Sequence, residues 1–505
     1  MANKLDLIRN RVAFLLLLFF FGCSAEAESK EKIIAKVGDK TISLNEFIRR
    51  AEYTIRPNYC RNNTNIDKKI ILNSLIAEKM LSLEVGEESD ILKKATVKNF
   101  LLGRKEQAMR QFLYDKEVTK KVKLDENLIN KVSNNVTRQY DISYISLADT
   151  LVVTQLKEEL IDFNLGWDST LHDNYNLKDI PKRVVTWNGL ENFKLLDLLF
   201  TQDVQKGSIY GPLKFSDEHY MFLKINGWTA TKEINESQKL ENIKNIEDVY
   251  RRRESRVKYE DFIRKVMEDH SIEFNSEIFF NLADIMGPIY MKSQTEKEEI
   301  FKKGVWAFDK EQNKYKNLKP DIEQIKKKIL YKLDDKSYTV SQFLEDIQIH
   351  PLVFRQKQFQ QKEFGFQLQM AIIDQVRDKY LTKIAYENNF DQSPEVVRDN
   401  SIWSDYLNSV FHKYKYLEIH NADNLFAVDN QTAINEVLNP YINKLQKKYS
   451  DKIYINTDLF NSIKLSNIDM SVIYSGAPFS LVVPSFPLIT SEHKLDYGEV
   501  DNNLN

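Results

Sequence analysis

Residues 36–47 read KVGDKTISLNEF, and residues 332–343 read KLDDKSYTVSQF. At one constant offset Lys36, Asp39, Lys40 and Phe47 recur as Lys332, Asp335, Lys336 and Phe343, with apolar positions matching between them. In the first copy, the alternation from Ile33 to Ile42 predicts a short strand pair turning at Gly38-Asp39. Ser43 then fits a helix N-cap, with Glu46 three residues on completing a capping box, and the helix runs through Phe47, Ile48 and Ala51. The echo continues beyond the hairpin. IAEKML at 76–81 answers VRDKYL at 376–381, and SIEFNSEIF at 271–279 answers KIYINTDLF at 452–460. The chain therefore reads as two related helical modules.

Between the echoes the periodicity changes. Ile70, Ile71, Leu75, Met80 and Leu81 follow helical spacing from about Ile66, and long helices are expected over about 92–122 and 125–138. Tyr140–Leu147, Val184–Trp187 and Tyr220–Ile225 read as strands, separated by helical stretches at Leu156–Phe163 and Leu195–Phe200 and by a turn over Gly207–Pro212. This β-α-β-α-β unit, about 138–228, is inserted in the first module, and Ser237–Asp269 returns as a long charged helix. The basic run Arg251–Arg256 reads as a solvated helix face. The expected class is α+β, mainly α. The expected segments are a helical module at 33–137, the insert at 138–228, a return at 229–290 completing the first module, a second module at 291–465, and an extended, poorly ordered tail at 466–505.

The start of the chain has its own pattern. Lys4, Arg9 and Arg11 precede an apolar run from Val12 to Phe21, and small residues follow at Gly22, Cys23, Ser24 and Ala25. This is the order of a secretion signal over 1–22, and the run is shorter than the roughly 20 apolar residues a bilayer span needs. Residues 23–32 read as a tether. Cleavage after Ala25 or Ala27, discarding Cys23, is the plain alternative to acylation of Cys23.

Composition narrows the function classes. Seventy-two basic and 74 acidic residues leave a net charge of −2, so no basic excess points to nucleic acid. Cys23 and Cys60 are the only two cysteines, which rules out a disulfide framework. The seven histidines, His172, His219, His270, His350, His412, His420 and His493, are scattered without ligand spacing, so neither a metal site nor a cofactor is expected. No Gly-rich phosphate loop or Gly-x-Ser-x-Gly elbow occurs.

The hairpin followed by ISLNEFIRR, and then the helix ILNSLIAEKMLSLEV, resemble the N-terminal chaperone module of SurA-like periplasmic folding factors and PrsA-like lipoprotein foldases. Gly22-Cys23 resembles a bacterial lipoprotein box, with Phe20 where Leu is commonest. The insert is similar in outline to parvulin, a small peptidyl-prolyl isomerase, most clearly in KGSIYGPLKF at 206–215. The resemblance implies export to the periplasm or cell envelope and a membrane anchor through a lipid on Cys23. It further implies unfolded or nascent exported polypeptides as partners, with oligomeric state open.

Carried over position by position, the parvulin resemblance puts Tyr144 where the family's first-strand His stands and Met221 at the second His, with His219 two residues away on the same strand face. Asp173 or Asp179 would stand for the usual acid. Lys182–Thr186 contains no Gly where the family has a Gly-rich loop. These departures imply a degenerate isomerase site. Trp187, Tyr220 and Phe222 are the expected peptide-binding residues, and Met370 with Phe343, Phe354, Phe359, Phe364, Phe366, Tyr380 and Phe390 are candidates for a wider client surface. The expected function is an envelope chaperone. An active parvulin isomerase and a structural lipoprotein scaffold are the alternatives.

Overall fold

The computed structural model describes residues 31–86, 89–177, 179–187, 192–216, 219–231, 236–290, 319–356, 359–465 and 482–504. The expected signal, Cys23 and most of the tether lie outside the described residues. So do parts of the expected second module and tail, 291–318 and 466–481. The protein is α+β and mainly helical. It divides into two compact units. One combines residues up to Phe112 with those from Met267 onward, and the other is Leu113–Val266.

In chain order the elements open with a hairpin, β1 (Ile33–Val37) and β2 (Lys40–Ser43), then α1 (Leu44–Glu52), α2 (Asn65–Val85) and α3 (Ala95–Glu117). The second unit holds α4 (Glu126–Asn135), β3 (Arg138–Leu147), α5 (Thr150–Lys157), α6 (Trp167–Asp173), β4 (Lys182–Thr186), α7 (Phe193–Thr201), β5 (Ile209–Ser216), β6 (His219–Ala230) and α8 (Glu236–Met267). The chain returns through β7 (Ile272–Phe274) and α9 (Ser276–Tyr290). Then come β8 (Ile329–Leu333), β9 (Lys336–Thr339), α10 (Val340–Ile349), α11 (Phe364–Glu387) and α12 (Pro394–Ile419). It closes with α13 (Asn439–Lys448), β10 (Ile453–Ile455), α14 (Thr457–Ser462) and β11 (Glu499–Val500).

The two sequence echoes take the same local form. Gly38 and Asp334 occupy the same place in their hairpin turns, both with positive φ, a conformation open to Gly and tolerated by Asp. Ser43 and Thr339 cap α1 and α10. The second cap is a full capping box with Gln342. The first is half of one: Ser43 Oγ accepts from the Glu46 amide at 3.1 Å, but the Glu46 carboxylate is diverted into the core, 3.0 Å from Lys79 Nζ.

The closing strands are exchanged. β10, from the end of the chain, completes the first hairpin by pairing with β1, and β7 completes the second by pairing with β8. Helices cross over in the same sense. α12 lies along α2 through the Asp405 and Asn408 contacts to Lys79, Ser82 and Ser89. α3 packs on α11 through Met109, Ala385 and a 2.7 Å hydrogen bond from Arg110 to Thr382. The expected modules are therefore interwoven rather than successive.

The expected poorly ordered tail is extended, but residues 482–504 are part of the core. Phe486 and Ile489 are buried against α2, β11 runs parallel to β10, and Thr490 is buried. Buried side chains donate to the tail's carbonyls: Arg50 to Ser485 at 2.9 Å, and Asn73 to Glu492 at 2.7 Å and Lys494 at 2.8 Å. These bonds satisfy backbone that has no strand ladder of its own.

The second unit is a four-stranded antiparallel sheet in the order β4-β3-β6-β5. One face buries Tyr140, Ile142, Val185, Leu223 and Ile225 under α4, α7 and α8. The other buries Ile145 and Phe222 under α5, a turn of π-helix at Glu158–Asp162, and α6. α4 and α8 thus belong to this unit's core, so the inserted body is larger than 138–228, and the return segment 229–290 is split between the two units.

Two predictions follow from the charges buried between α2 and α12. Asp405→Asn leaves Lys79 and Lys40 short of a counter-charge; breaking a buried pair costs about 3–5 kcal/mol. Hydrogen exchange of the α2 amides measures the loss, and unchanged protection would refute it. Lys413 is buried, donates to the Leu488 carbonyl at 3.3 Å, and lies 4.7 Å from the Phe426 ring centre. Burial pulls its pKa down from 10.5 to about 8. Between those values the folded chain has released a proton the unfolded chain keeps, so stability rises with pH from about 8 towards 10.5. Lys413→Met should abolish that rise and be more stable than wild type at neutral pH by a margin of order 3 kcal/mol. Parallel pH–stability curves for the two proteins would contradict this.

Candidate functional site

Strand parity decides which of the expected residues meet. Tyr144 pairs with Leu223, and Ser146 and Leu213 flank Met221 across β3 and β5. Tyr144, Ser146, Leu213, Met221 and His219 therefore share the face that buries Tyr140 and Ile142 further along β3. Along β3 that face passes from fully buried Tyr140 and Ile142 to half-buried Tyr144 and exposed Ser146. The helical cover stops there, and the sheet face emerges into solvent as a shelf.

The shelf has few polar groups. Arg183, paired with Ile142 across β4, holds its guanidinium 5.1 Å from the Tyr144 ring centre. His219 is exposed at the rim, edge-on to Phe215 at 5.3 Å. Met221 is buried and has no hydrogen-bonding side chain suited to replace a histidine. Asp173 ends α6, and Asp179 precedes Ile180; both α6 and Ile180 pack on the opposite sheet face, so neither carboxylate belongs to the shelf. Tyr144, Met221 and His219 are thus brought to one face without a paired acid. At the rim the face presents the hydroxyls of Tyr144 and Ser146 beside half-buried Leu213 and Phe215.

The three expected peptide-binding residues lie elsewhere. Phe222 is fully buried on the opposite face. Tyr220 is half-buried on that same opposite face, with Lys214 Nζ 5.8 Å from its ring centre. Trp187 is core: its Nε1 donates to Asn245 on α8 at 2.9 Å, and its ring packs edge-on to Phe200 at 5.3 Å. Of the wider set of aromatics, Phe343 and Phe364 are also buried, whereas Phe366 is exposed. Ser146 and Arg183 join the shelf unforeseen; the period-2 count from Tyr144 points to Ser146, while Arg183 depends on a strand pairing that sequence does not display.

The segment KGSIYGPLKF does not form one turn. Gly207, with φ +89°, makes the turn, and Gly211-Pro212 sits inside β5 at an irregularity between Tyr210 and Leu213. A Cβ at Gly211 would lie 2.7 Å from Phe222 Cδ1 and 2.9 Å from the Met221 carbonyl. Its φ of +140° is one that L side chains rarely adopt.

Among the described residues, no group of three or more His, Cys, Asp or Glu could hold a metal, and no helix is long and apolar enough to cross a membrane. Cys60 is a free, buried thiol whose pKa burial pushes up to about 12, which leaves it unreactive. No protein-family model matches the chain, and no curated protein matches it.

Gly211→Ala should destabilise the second unit by roughly 2 kcal/mol or more, combining backbone strain with a clash against core. Denaturant unfolding followed by near-ultraviolet circular dichroism tests this; an unchanged midpoint would show that β5 shifts freely at this point.

Proposed function

We propose that the protein is a folding factor of the cell envelope that holds unfolded exported polypeptides, and that its α/β unit is a parvulin-like domain retained for binding. The supporting observation is the shelf itself: β3 and β6 bring Tyr144 and Met221 to one sheet face that runs out of the core into solvent beside Ser146 and His219. The three strands read from sequence are joined by a fourth, Ile209–Ser216, in an antiparallel sheet with helices on both faces, and the paired hairpin-helix modules support the SurA-like resemblance. On this reading the N-terminal segment is a secretion signal and a lipid on Cys23 anchors the mature chain.

Isomerisation breaks no bond; it lowers a barrier of about 18–20 kcal/mol that arises from the double-bond character of the peptide C–N bond. A catalyst must grip the proline and favour the twisted amide. A face with half-buried Tyr144 and buried Met221 where the resemblance expects two histidines supplies no matched polar pair, so binding is favoured over catalysis.

The mature protein should suppress aggregation of a reduced, unfolded client while leaving a proline-limited refolding rate unchanged within about twofold. Tyr144→Phe and His219→Ala should leave that rate alone. Acceleration by wild type that His219→Ala abolishes would replace this reading with an active, rearranged isomerase. Failure in both assays, with copurification of one fixed partner, would favour a scaffold.

A further inference from the structure

The first unit contains a cavity of about 360 Å³, within the size range of small-molecule sites. α3, α11 and the loop after α10 enclose it. α3 comes very close to the end of α10 at Gly103, where an added Cβ would fall 2.0 Å from the Ile349 carbonyl oxygen. Four guanidinium groups line the cavity, from Arg104, Arg110, Arg355 and Arg377, against two carboxylates, Asp374 and Asp378.

The two carboxylates are already engaged. Asp374 accepts two hydrogen bonds from Arg355, at 2.9 and 2.8 Å, and one from Arg377 at 3.0 Å. Asp378 accepts from Arg377 at 2.9 and 2.7 Å and lies 3.7 Å from Arg110 Nε. Arg104 has no carboxylate partner among the described residues. Its guanidinium lies 5.3 Å from the Phe100 ring centre and 5.8 Å from that of Trp403, and its Nε is buried with no hydrogen-bond partner. Burial, followed by the neighbouring Arg110 charge, pulls its pKa down. Glu106, 2.7 Å from the lining His350 and facing Arg110, is a third carboxylate beside the cavity, which leaves Arg104 as the lining arginine without one. A partly buried cation without a counter-ion is costly, and arginine forks match oxyanions of fixed geometry. Ile349, Leu352 and Val353 supply an apolar wall beside the charges.

We propose that this cavity is a binding site for a phosphate monoester with an apolar body. A monoester carries close to two negative charges at neutral pH, which Arg104 and the half-exposed Arg355 can meet, and its organic part suits the apolar wall. The proposal does not depend on the client-binding reading, because every residue it uses lies in the first unit.

The experiment is isothermal titration of the full mature chain with phenyl phosphate, with benzyl alcohol as the neutral control and inorganic phosphate to isolate the head group. Phenyl phosphate should bind more tightly than inorganic phosphate, benzyl alcohol should not bind, and affinity should fall with added salt. Arg104→Met, which keeps an apolar stem beside Phe100 and Trp403, should weaken binding about tenfold or more. Arg355→Ala, at a half-exposed side chain, should weaken it independently. Arg264→Met, at an exposed arginine of the other unit, should leave binding intact. Sedimentation with phosphatidic-acid vesicles, lost in Arg104→Met, would assign a lipid headgroup as the source; phenyl phosphate binding without sedimentation would assign a soluble ester. No binding of phenyl phosphate at millimolar concentration would overturn the proposal, and so would equal affinity in wild type and a folded Arg104→Met.

Discussion

Lys79 Nζ stands 3.0 Å from Glu46 Oε1 and 3.0 Å from Asp405 Oδ2, with all three side chains nearly sealed from water. Beside it Arg50 makes two bonds to Glu78, at 2.9 and 2.7 Å, and Lys40 reaches Asp405 at 2.6 Å. Three cations face three anions. Burial alone would raise the pKa of Asp405, but Lys79 and Lys40 hold it below the ordinary value; burial raises that of Glu46 against the pull of Lys79 and Arg50. Such a cluster is a poor source of net stability, because desolvation offsets much of the attraction. Its value lies in registry: only one alignment of α1, α2 and α12 pairs every charge. The crossing of the chain's late half onto its early half depends on that alignment. So does the docking of the C-terminal segment, because Arg50 also donates to Ser485.

This constraint explains what the repeat could and could not reveal. Both hairpins, the Ser43 cap and the helix after it were legible, because each is fixed by neighbours a few residues apart: a turn position, a capping hydroxyl, an apolar stripe. The exchange of closing strands was not legible. Ile453–Ile455 and Ile272–Phe274 have much the same apolar pattern, and either could satisfy either hairpin edge. The choice is made by contacts more than 300 residues apart, such as Asp405 with Lys79. The tail misled for a related reason. From Met470 onward it has no period, which reads as disorder, but the order of 482–504 is supported by donors on Asn73, Arg50 and Lys413 that its own sequence does not display.

Legibility in the α/β unit followed strand parity. Counting by twos put Met221 and His219 on one face, the resemblance supplied Tyr144, and the register has all three on that face. The same counting puts Tyr220 and Phe222 on the other face, yet residue type alone had suggested them as binding groups. Trp187 was nominated by the resemblance alone, but a large aromatic ring with one donor is equally suited to bridge sheet and helix, and Asn245 takes that donor. Chemical type nominates a residue; parity and burial decide whether a ligand can reach it.

The same reasoning bears on how the shelf would treat a prolyl peptide. Rate enhancement requires contacts that strengthen as the amide twists and its nitrogen becomes a better acceptor. Apolar contact from half-buried Leu213 and Phe215 is nearly the same for the planar and the twisted forms, so it lowers the energy of both. The hydroxyls of Tyr144 and Ser146 are directional, but Leu223 and Met221 stand opposite them on β6, and His219, the polar group that β6 brings to this face, lies exposed at the rim. Binding of this kind is close to uniform, which gives affinity without acceleration.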